Sequence, residues 1–443
     1  MNIKTKLFLL LLLFTFSMFP SCSSPTQPPT INYITLSLKE ASSTEAWVNL
    51  KVRNVSFPAQ IILVMDNKAL TDINLTSNDT TVYIDSLQPN GSYWFVAQFT
   101  QNNETVTSNL ITVQTLDTTS NNFTWQTFTF GDPRAGSSTL NDVAIINEND
   151  IWAVGEIHTK ETDRWNVDST KWILPYNAVH WDGKKWKLKR ILYNYQGQAF
   201  YHPIQSVFAF NSNDIWFGGN GIIRWDGLKF IEVLTPKIVW GPHLINKIWG
   251  TSNNDLYIVG NGGKIAHYLN GVWSKIESGT TTNLNDIWGY YDKENNKETV
   301  LTVASNILHH GEYRLLAISG NTAHDTLNWP YNNWLKGIWF QGKYSPVYIC
   351  GVGIRKYENG KWSVLNLPPY FTEAIRGTGV NDITAVGDYG FVAHYNGVRW
   401  YTVNLSSGYL FSSVSVKNNI VAISGNSSSG GIVGKAIVII GRH

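Results

Sequence analysis

A short motif, Asn-Asp-Ile-Trp-x-Val-Gly, recurs in the chain and constrains the fold more than any other feature. It begins at Asn149 and returns, with substitutions, at Asn213, Asn254 and Asn381. A second element is an Asn-Gly or Asp-Gly pair followed two or three residues later by an aromatic residue, at Asp182-Gly183, Asp226-Gly227, Asn270-Gly271, Asn359-Gly360 and Asn396-Gly397. Such pairs between apolar runs are strong hairpin signals, because both residues tolerate positive φ. The motifs therefore predict one repeated β unit.

The repeated unit reads as strand, turn, strand, strand, tight turn, strand, with a period of about 40 residues, which is one blade of a β-propeller. Seven innermost strands are predicted. Each is identified by one apolar residue, and these residues are Val143, Val207, Ile248, Ile287, Ile338, Ile375 and Val414. The last unit ends without an outer strand, and the segment from Phe123 to Phe128 has the pattern of that missing strand. We therefore predict an all-β chain with a seven-bladed β-propeller over residues 123–443, closed by pairing of its first and last segments.

The repeats resemble those of bacterial secreted propellers with Asn-Asp-Ile-Trp-x-Val-Gly and Asn-Gly-x-Trp units, and are distantly similar to sialidase-type repeat propellers. They lack the Gly-His and Trp-Asp pairing of WD40 blades, since Trp181-Asp182 and Trp225-Asp226 stand at the hairpin turn instead. The resemblance implies a fold and leaves the activity open.

Residues 30–117 carry a different pattern, with six short alternating apolar runs and no helical period. About 90 residues of this kind fit a β-sandwich. Leu87, Pro89 and Tyr93 resemble the tyrosine corner of a fibronectin type III domain, and Trp47 falls where that family has a core tryptophan. The resemblance implies a spacer or interaction module without chemistry of its own, joined by a short polar linker to the propeller.

The N-terminus has the pattern of a secretory signal, with Lys4 and Lys6 before an apolar run and Cys22 after it. The small residue before Cys22 resembles a bacterial lipobox. This resemblance implies that residues 1–22 are a lipoprotein signal peptide and that Cys22 receives a diacylglycerol. Residues 23–29 are rich in Ser and Pro, which predicts an extended tether. The lipobox resemblance also implies an outer-membrane lipoprotein of the cell envelope, periplasmic or surface-exposed. An ordinary cleaved signal is the alternative.

Charge and cysteine content exclude some classes. The chain has 34 Lys and Arg against 32 Asp and Glu, with no basic stripe, so nucleic acid is not an expected partner. Cys22 and Cys350 are the two cysteines, so an acylated Cys22 leaves no internal disulfide. Cys350 lies in a strand pattern and is expected to be a buried small hydrophobe.

Candidate catalytic groups are few. Arg224, Arg355 and Arg376 are arginines of the type that holds a substrate carboxylate in a sialidase, but the Arg-Ile-Pro and Ser-x-Asp signatures of that family are missing. The repeated His180, His267 and His394 indicate a structural hydrogen bond, and the Asn-Asp pairs indicate aspartates that bond their own turns. We predict no catalytic residue, no metal site and no cofactor.

Loops between the second and third strands of a blade, and between blades, open on one face of a propeller. Here these loops are long and aromatic, and we predict ligand-binding residues at Trp165, Trp172, Tyr195, Tyr201, Trp240, Trp329, Tyr331 and Trp334. Exposed aromatic side chains on loops suit sugar faces and protein hot spots, so the predicted function is binding or adhesion to a glycan or a protein. The alternatives are a core that caps the ring, a glycan-active hydrolase or lyase on the same face, and a structural factor for an envelope complex.

Overall fold

The computed structural model describes residues 33–101, 104–195, 198–306, 312–429 and 432–443. The predicted signal peptide, the tether and Cys22 lie outside these described residues. The chain divides into two compact units, one made of the described residues up to Leu36 with Leu50–Thr80 and Phe95–Ile111, the other of Ser37–Asn49, Thr81–Trp94 and Thr112–His443. No helix in the described ranges is both long enough and apolar enough to span a membrane.

The N-terminal region is all β. Its described strands are β1 (Tyr33–Ala41), β2 (Ala46–Arg53), β3 (Ala59–Met65), β4 (Lys68–Leu75), β5 (Asp79–Ile84), β6 (Ser92–Gln101), β7 (Glu104–Thr107) and β8 (Ile111–Gln114). They form one sheet in the order β1-β2-β5 and another in the order β4-β3-β6-β7, with β8 also paired to β6. The Tyr93 hydroxyl accepts a hydrogen bond from the Gln88 backbone N–H at 2.7 Å, which is the bond that defines a tyrosine corner.

The rest of the chain is built from four-stranded antiparallel sheets, numbered here 1 to 7 along the chain. Sheet 1 contains β10 (Thr139–Asn147), β11 (Asp150–Ile157), β14 (Tyr176–Trp181) and β15 (Trp186–Lys189), sheet 2 contains β18 (Ser206–Asn211), β19 (Asp214–Gly218), β20 (Ile222–Trp225) and β21 (Phe230–Val233), and sheet 3 contains β22 (Ile245–Ser252), β23 (Asp255–Gly260), β24 (Lys264–Leu269) and β25 (Val272–Ile276). Sheet 4 contains β26 (Leu284–Asp292), β27 (Lys297–Ser305), β28 (Tyr313–Ser319) and β29 (Thr322–Asp325), and sheet 5 contains β30 (Leu335–Trp339), β31 (Val347–Gly351), β32 (Gly353–Glu358) and β33 (Lys361–Val364).

Sheet 6 contains β34 (Thr372–Gly379), β35 (Asp382–Gly387), β36 (Phe391–Tyr395) and β37 (Trp400–Asn404), and sheet 7 contains β38 (Tyr409–Lys417), β39 (Ile420–Ser429), β40 (Ile432–Arg442) and β9 (Thr124–Phe130). Two additional hairpins pair β12 (Arg164–Trp165) with β13 (Trp172–Ile173), and β16 (Tyr193–Tyr195) with β17 (Gln198–Phe200). Short 3-10 turns occupy Asn261–Gly263 and Asp388–Gly390.

The first strands of the sheets contact one another in a closed cycle. β10 contacts β18, the contacts continue through β22, β26, β30, β34 and β38, and β38 contacts β10 again. A closed cycle of four-stranded antiparallel sheets is a β-propeller. The predicted missing strand is β9, which pairs with β40 from Thr124 opposite Arg442 to Phe130 opposite Ala436. The apolar residues counted in the sequence all fall in these first strands.

An ion pair or hydrogen bond joins the second and third strands inside four sheets. It links His180 to Asp150 at 2.8 Å, Arg224 to Asp214 at 2.7 Å, His267 to Asp255 at 2.6 Å and His394 to Asp382 at 3.0 Å. The structural role predicted for the histidines is confirmed. The prediction that the aspartates bond their own turns is wrong. Trp152 is the register partner of His180, and Asp150 lies two residues before Trp152 on the same face of the sheet. The Asp150 carboxylate therefore bonds the His180 ring on the neighbouring strand. The turn bonds are accepted by Asn147 and Asn211 instead.

A β-bulge interrupts the first strand of six described sheets at one shared place. The residues left out of register are Asn141, Asn246, Asn285, Lys336, Glu373 and Ser412. A bulge leaves one residue unpaired and re-aims its side chain. In the sequence, each bulged residue is a polar residue that lies two positions before the apolar residue counted in the same first strand.

The glycine that ends the repeated motif lies opposite this bulge. A Cβ added to Gly155 would lie 2.1 Å from the Thr139 carbonyl oxygen, and one added to Gly387 would lie 2.0 Å from that of Phe371. Backbone approaches this close favour glycine. Sheet 4 carries Ala304 at the equivalent register position, opposite Leu284, so its backbone accommodates one methyl group there.

Candidate functional site

One face of the propeller collects the long loops and the starts of the first strands. Thr139, the first residue of β10, pairs with Glu156 near the end of β11, so the loop that follows β11 lies beside the start of β10. The same antiparallel order holds in the other sheets. We call this end of the propeller the loop face. It carries the segments predicted to bind a ligand.

A cavity of about 460 Å³ opens on the loop face where the first strands begin. We call it the cup. Its lining is mostly polar and consists of Asn141, Gln205, Asn246, Lys247, Asn261, Asn285, Asp286, Lys336, Glu373, Ala374, Arg376, Asp388, Leu410, Phe411, Ser412 and Ser413. All six bulged residues are in this set. The bulges therefore give the cup its polar wall, a feature that the repeat pattern does not predict.

Three bulged asparagines also join neighbouring sheets. The Nδ2 atoms of Asn141, Asn246 and Asn285 donate to the backbone carbonyls of Ile204, Leu284 and Leu335, at 3.0, 2.9 and 2.7 Å. Each acceptor is the residue just before the cup-lining position of the next sheet. The asparagines are therefore structural, and their side-chain oxygens are the groups that remain for a ligand.

Replacing Asn285 with alanine is expected to lower the free energy of unfolding by about 1 to 3 kcal/mol, because it removes three side-chain hydrogen bonds, one of which joins sheets 4 and 5. Asn285 Nδ2 also donates to Ser305 O at 3.1 Å and to Ser305 Oγ at 2.9 Å. Urea unfolding followed by tryptophan fluorescence measures the change. Gln205→Ala, at the corresponding place in sheet 2, is the control and should change stability by less than about 0.5 kcal/mol. Equal effects of the two substitutions would contradict the structural role of Asn285.

Two ion pairs close the bottom of the cup. Lys247 Nζ lies 2.7 Å from Asp142 Oδ1, which also accepts a bond from Ser413 Oγ at 2.7 Å. Arg376 donates from Nη1 and Nη2 to the two carboxylate oxygens of Asp286, at 2.8 and 2.7 Å. Asp142, Lys247 and Arg376 also line a smaller cavity of about 130 Å³. The two pairs therefore lie between the cup and this smaller cavity.

The Arg376–Asp286 pair is buried. Burial alone would lower the pKa of the Arg376 guanidinium, but the adjacent Asp286 carboxylate raises it above its ordinary value. The guanidinium also lies over the Trp288 ring, with Cζ 4.8 Å from the ring centroid. Asp286 accepts a third bond from the Ile338 backbone N–H at 2.9 Å. The pair therefore ties sheets 4, 5 and 6 together.

Lys336, Glu373 and Asp388 form a charged group in the cup wall. Lys336 Nζ lies 2.9 Å from Glu373 Oε2. Burial raises the pKa of Glu373 and that of Asp388, and the positive charge of Lys336 opposes both shifts. Carboxyl groups with raised pKa values retain a proton at higher pH than exposed ones. The wall also contains the Lys336 ammonium as a donor and amide and carboxylate oxygens as acceptors, which suits a ligand with several hydroxyl or amide groups.

The described residues contain no group of three or more His, Cys, Asp or Glu side chains placed to hold a metal ion. Cys350 is buried, as predicted. Burial raises the pKa of its thiol well above the ordinary value, so the reactive thiolate is disfavoured there.

The predicted aromatic residues do not form one surface. Trp165 and Trp172 face each other on the β12–β13 hairpin with ring centroids 5.8 Å apart, and they are 56% and 42% exposed. The Tyr201 hydroxyl donates to Glu156 at 3.2 Å, and Trp240 is buried with its Nε1 donating to the His243 carbonyl at 2.7 Å. Tyr195 lies in β16, but its side chain is outside the described set.

The remaining three predicted residues lie between sheets 4, 5 and 6. Trp329 contacts Tyr331 at 5.1 Å and Trp362 at 4.8 Å between ring centroids, and all three are partly buried. Trp334 contacts Phe371 at 5.8 Å. Exposed aromatic area on the loop face is therefore greatest at the Trp165–Trp172 hairpin among the predicted residues.

No protein-family model and no curated protein matches the chain. Solved structures do resemble it. YCF48 bound to D1 peptide has a TM-score of 0.49 and 15% identity, covering 72% of this chain and 97% of the other. YCF48 from Cyanidioschyzon merolae has a TM-score of 0.47 and 14% identity, covering 72% and 98%. The C-terminal WD40 domain of Sif2 has a TM-score of 0.41 and 11% identity, covering 68% and 96%.

Such distant likenesses carry no argument about function. The propeller assignment rests on the order of the sheets and on the closed cycle of contacts between their first strands.

Proposed function

We propose that this protein is a binding protein whose propeller recognises a glycan on its loop face. The observation that carries the proposal is the cup, a cavity of about 460 Å³ lined by amide, carboxylate, hydroxyl and ammonium groups. Sugar hydroxyl groups both donate and accept hydrogen bonds, so they need a wall of this mixed kind. The exposed indoles of Trp165 and Trp172 lie on the same face and suit the apolar side of a sugar ring.

We also propose the finer architecture. Seven four-stranded sheets among the described residues support a seven-bladed propeller over residues 123–443. The sheet orders β1-β2-β5 and β4-β3-β6-β7, with the Tyr93–Gln88 bond, support a fibronectin type III domain over residues 30–117. The N-terminal sequence supports a lipid anchor at Cys22 and a place in the bacterial cell envelope.

A glycan array probed with the purified chain tests the proposal. Native mass spectrometry of each hit then shows whether the bound oligosaccharide keeps its mass. Binding of an intact oligosaccharide would support the proposed function. Capture of a protein without any glycan would instead favour the protein-binding form of the same face, and no binding of either kind would contradict it.

A glycan-cleaving enzyme is the second candidate. The observation in its favour is the pair of carboxyl groups at Glu373 and Asp388, whose pKa values burial raises as a general acid requires. A shortened oligosaccharide in the mass spectrum would select this function. Turnover would then be expected to stop in Glu373→Gln.

Replacing Trp172 with alanine is expected to weaken glycan binding on the order of tenfold, because one exposed ring of the hairpin pair is lost. The melting temperature should stay the same, since β12 and β13 pair with no other strand among the described residues. Isothermal titration calorimetry against the strongest array hit measures the affinity.

Leu228→Ala is the matched control for Trp172→Ala. Leu228 is 88% exposed and stands in the turn after β20, at the opposite end of the propeller. Its substitution should leave the affinity unchanged. Unchanged affinity in Trp172→Ala and Trp165→Ala as well would remove the hairpin from the binding surface.

A further inference from the structure

Arg355 occupies a position that the other sheets reserve for the apolar core. Tyr357 and Trp362 lie opposite each other next to the tight turn between β32 and β33, and Arg355 lies two residues before Tyr357. The equivalent residues of sheets 1, 2, 3, 4 and 6 are Val179, Ile223, Ala266, Leu316 and Ala393, all 1% exposed or less. Arg355 itself is only 8% exposed. Sheet 5 therefore has a cation where five other sheets have an apolar side chain.

Arg355 has no acidic partner among the described residues. The other deeply placed cations of the propeller are paired, Arg376 with Asp286, Lys247 with Asp142 and Arg224 with Asp214. Burial of the unpaired guanidinium lowers the pKa of Arg355. A buried charge without a counter-charge is unfavourable and is seldom kept without a function.

One edge of the Arg355 guanidinium has no protein acceptor. Nη1 donates to the Val352 carbonyl oxygen, whereas Nε is buried and bonds to none of the described residues. The structure also records no bond from Nη2 within the described part of the chain. Arg314 shows what this edge does when occupied, because its Nε and Nη2 hold the two oxygens of Asp325 at 2.9 Å each. The Nε–Nη2 edge has the geometry that binds a carboxylate with two parallel bonds.

Aromatic residues complete the surroundings of this edge. The guanidinium carbon of Arg355 lies 4.7 Å from the Tyr331 ring centroid. Trp329 contacts Tyr331, and its Nε1 is a second buried donor without a partner among the described residues. Two unsatisfied donors thus lie around one tyrosine, near the loop-face end of sheet 5 where Val352 precedes β32. Both donors therefore lie beside the Tyr331 ring without a protein acceptor in the described part of the chain.

We propose that Arg355, with Tyr331 and Trp329, is a binding site for a carboxylate group of a ligand. The site is separate from the cup, whose lining includes none of these three residues. This proposal is independent of the proposed glycan-binding function, because it is tested with a free carboxylate and needs no oligosaccharide. Uronic acids and the C-terminal carboxylate of a peptide are two sources of this group.

The test compares the full chain with Arg355→Leu and Arg355→Lys. The Nε–Hε resonance of Arg355 is assigned in an ¹⁵N spectrum by its absence from Arg355→Leu, and the protein is titrated with sodium glucuronate and with sodium N-acetylalaninate. Sodium chloride at the same ionic strength is the reference. The resonance is expected to shift with saturation for at least one carboxylate and to stay in place with chloride.

Thermal unfolding gives a second readout. In chloride, Arg355→Leu is expected to melt no lower than the wild-type chain, because leucine is the residue that sheet 4 carries at this position. In 0.2 M carboxylate the wild-type chain should gain about 2 °C more than either variant, since ligand binding stabilises the folded state. Arg355→Lys keeps the charge but loses the two-bond edge, so it should show no gain.

Tighter binding of glucuronate would identify an acidic sugar as the source, and tighter binding of N-acetylalaninate would identify a peptide terminus. Either result supports the carboxylate site. An unmoved Arg355 resonance with both carboxylates would overturn it, as would equal carboxylate stabilisation of the wild-type chain and both variants.

Discussion

Replacement of Asp286 by alanine is expected to lower the free energy of unfolding by about 3 to 5 kcal/mol, because it strands a buried charge. Arg376 would lose both oxygens of its two-bond partner, and the Ile338 N–H would lose its acceptor. The Arg376 side chain is only 10% exposed, so the guanidinium depends on Asp286 as its charge partner. Chemical unfolding monitored by circular dichroism gives the difference from the wild-type chain.

The double variant Asp286→Ala/Arg376→Met is the control for this prediction. It removes the charge that the single variant leaves unpaired, so it should recover at least half of the lost stability despite carrying one more substitution. A single variant within about 1 kcal/mol of the wild-type chain would show that Arg376 finds other partners.

Replacing Thr124–Phe130 by a Gly-Ser segment of the same length is expected to destabilise the propeller by on the order of 5 kcal/mol, a large part of the stability of a typical fold. These residues form β9, the strand that completes sheet 7 by pairing with β40. Phe128 packs against Trp181 and Trp186 of sheet 1, with ring centroids 6.0 and 5.6 Å apart. The substitution therefore removes both a strand and the apolar contacts that join sheets 7 and 1.

Differential scanning calorimetry measures the effect, and size-exclusion chromatography follows association through the newly exposed edge of β40. The matched control replaces residues 164–173, which contain the β12–β13 hairpin, with a Gly-Ser segment. That hairpin pairs with no other strand of the described chain, so its loss should leave the melting temperature nearly unchanged. If the two variants melt at the same temperature, pairing of β9 is not what holds the ring closed.

The propeller could be predicted from the sequence because each sheet repeats the same local sequence signals. The Asn-Gly and Asp-Gly turns fall between third and fourth strands, and the counted apolar residues fall in first strands. The polar residue two positions earlier was visible too, at Asn141, Asn246 and Asn285. The bulge at this residue could not be predicted, because a bulge changes the direction of one side chain and the alternation of polar and apolar residues does not predict such a change.

The ion pairs below the cup were beyond sequence reasoning for another reason. Asp286 and Arg376 are 90 residues apart in the chain and stand in sheets that are not neighbours in sequence order. Only the curvature of the closed ring brings them into contact. Arg376 was a candidate for a substrate carboxylate by residue type, and in the structure an internal carboxylate occupies it.

The loop aromatics show a third limit. Composition predicted their abundance on one face, but exposure depends on what each loop packs against. Trp240 is buried under its own loop, whereas Trp172 is held out by a two-residue strand. Nothing in the local sequence separates these two tryptophans.

The pairing of β9 with β40 also bears on how the protein is synthesised. Phe130 leaves the ribosome about 300 residues before its partner Ala436, so β9 remains without its neighbour while six sheets are translated. During that interval its aromatic residues, Trp125 and Phe128 among them, are available to non-native partners. A chaperone that binds this one short strand would therefore protect the chain until β40 becomes available.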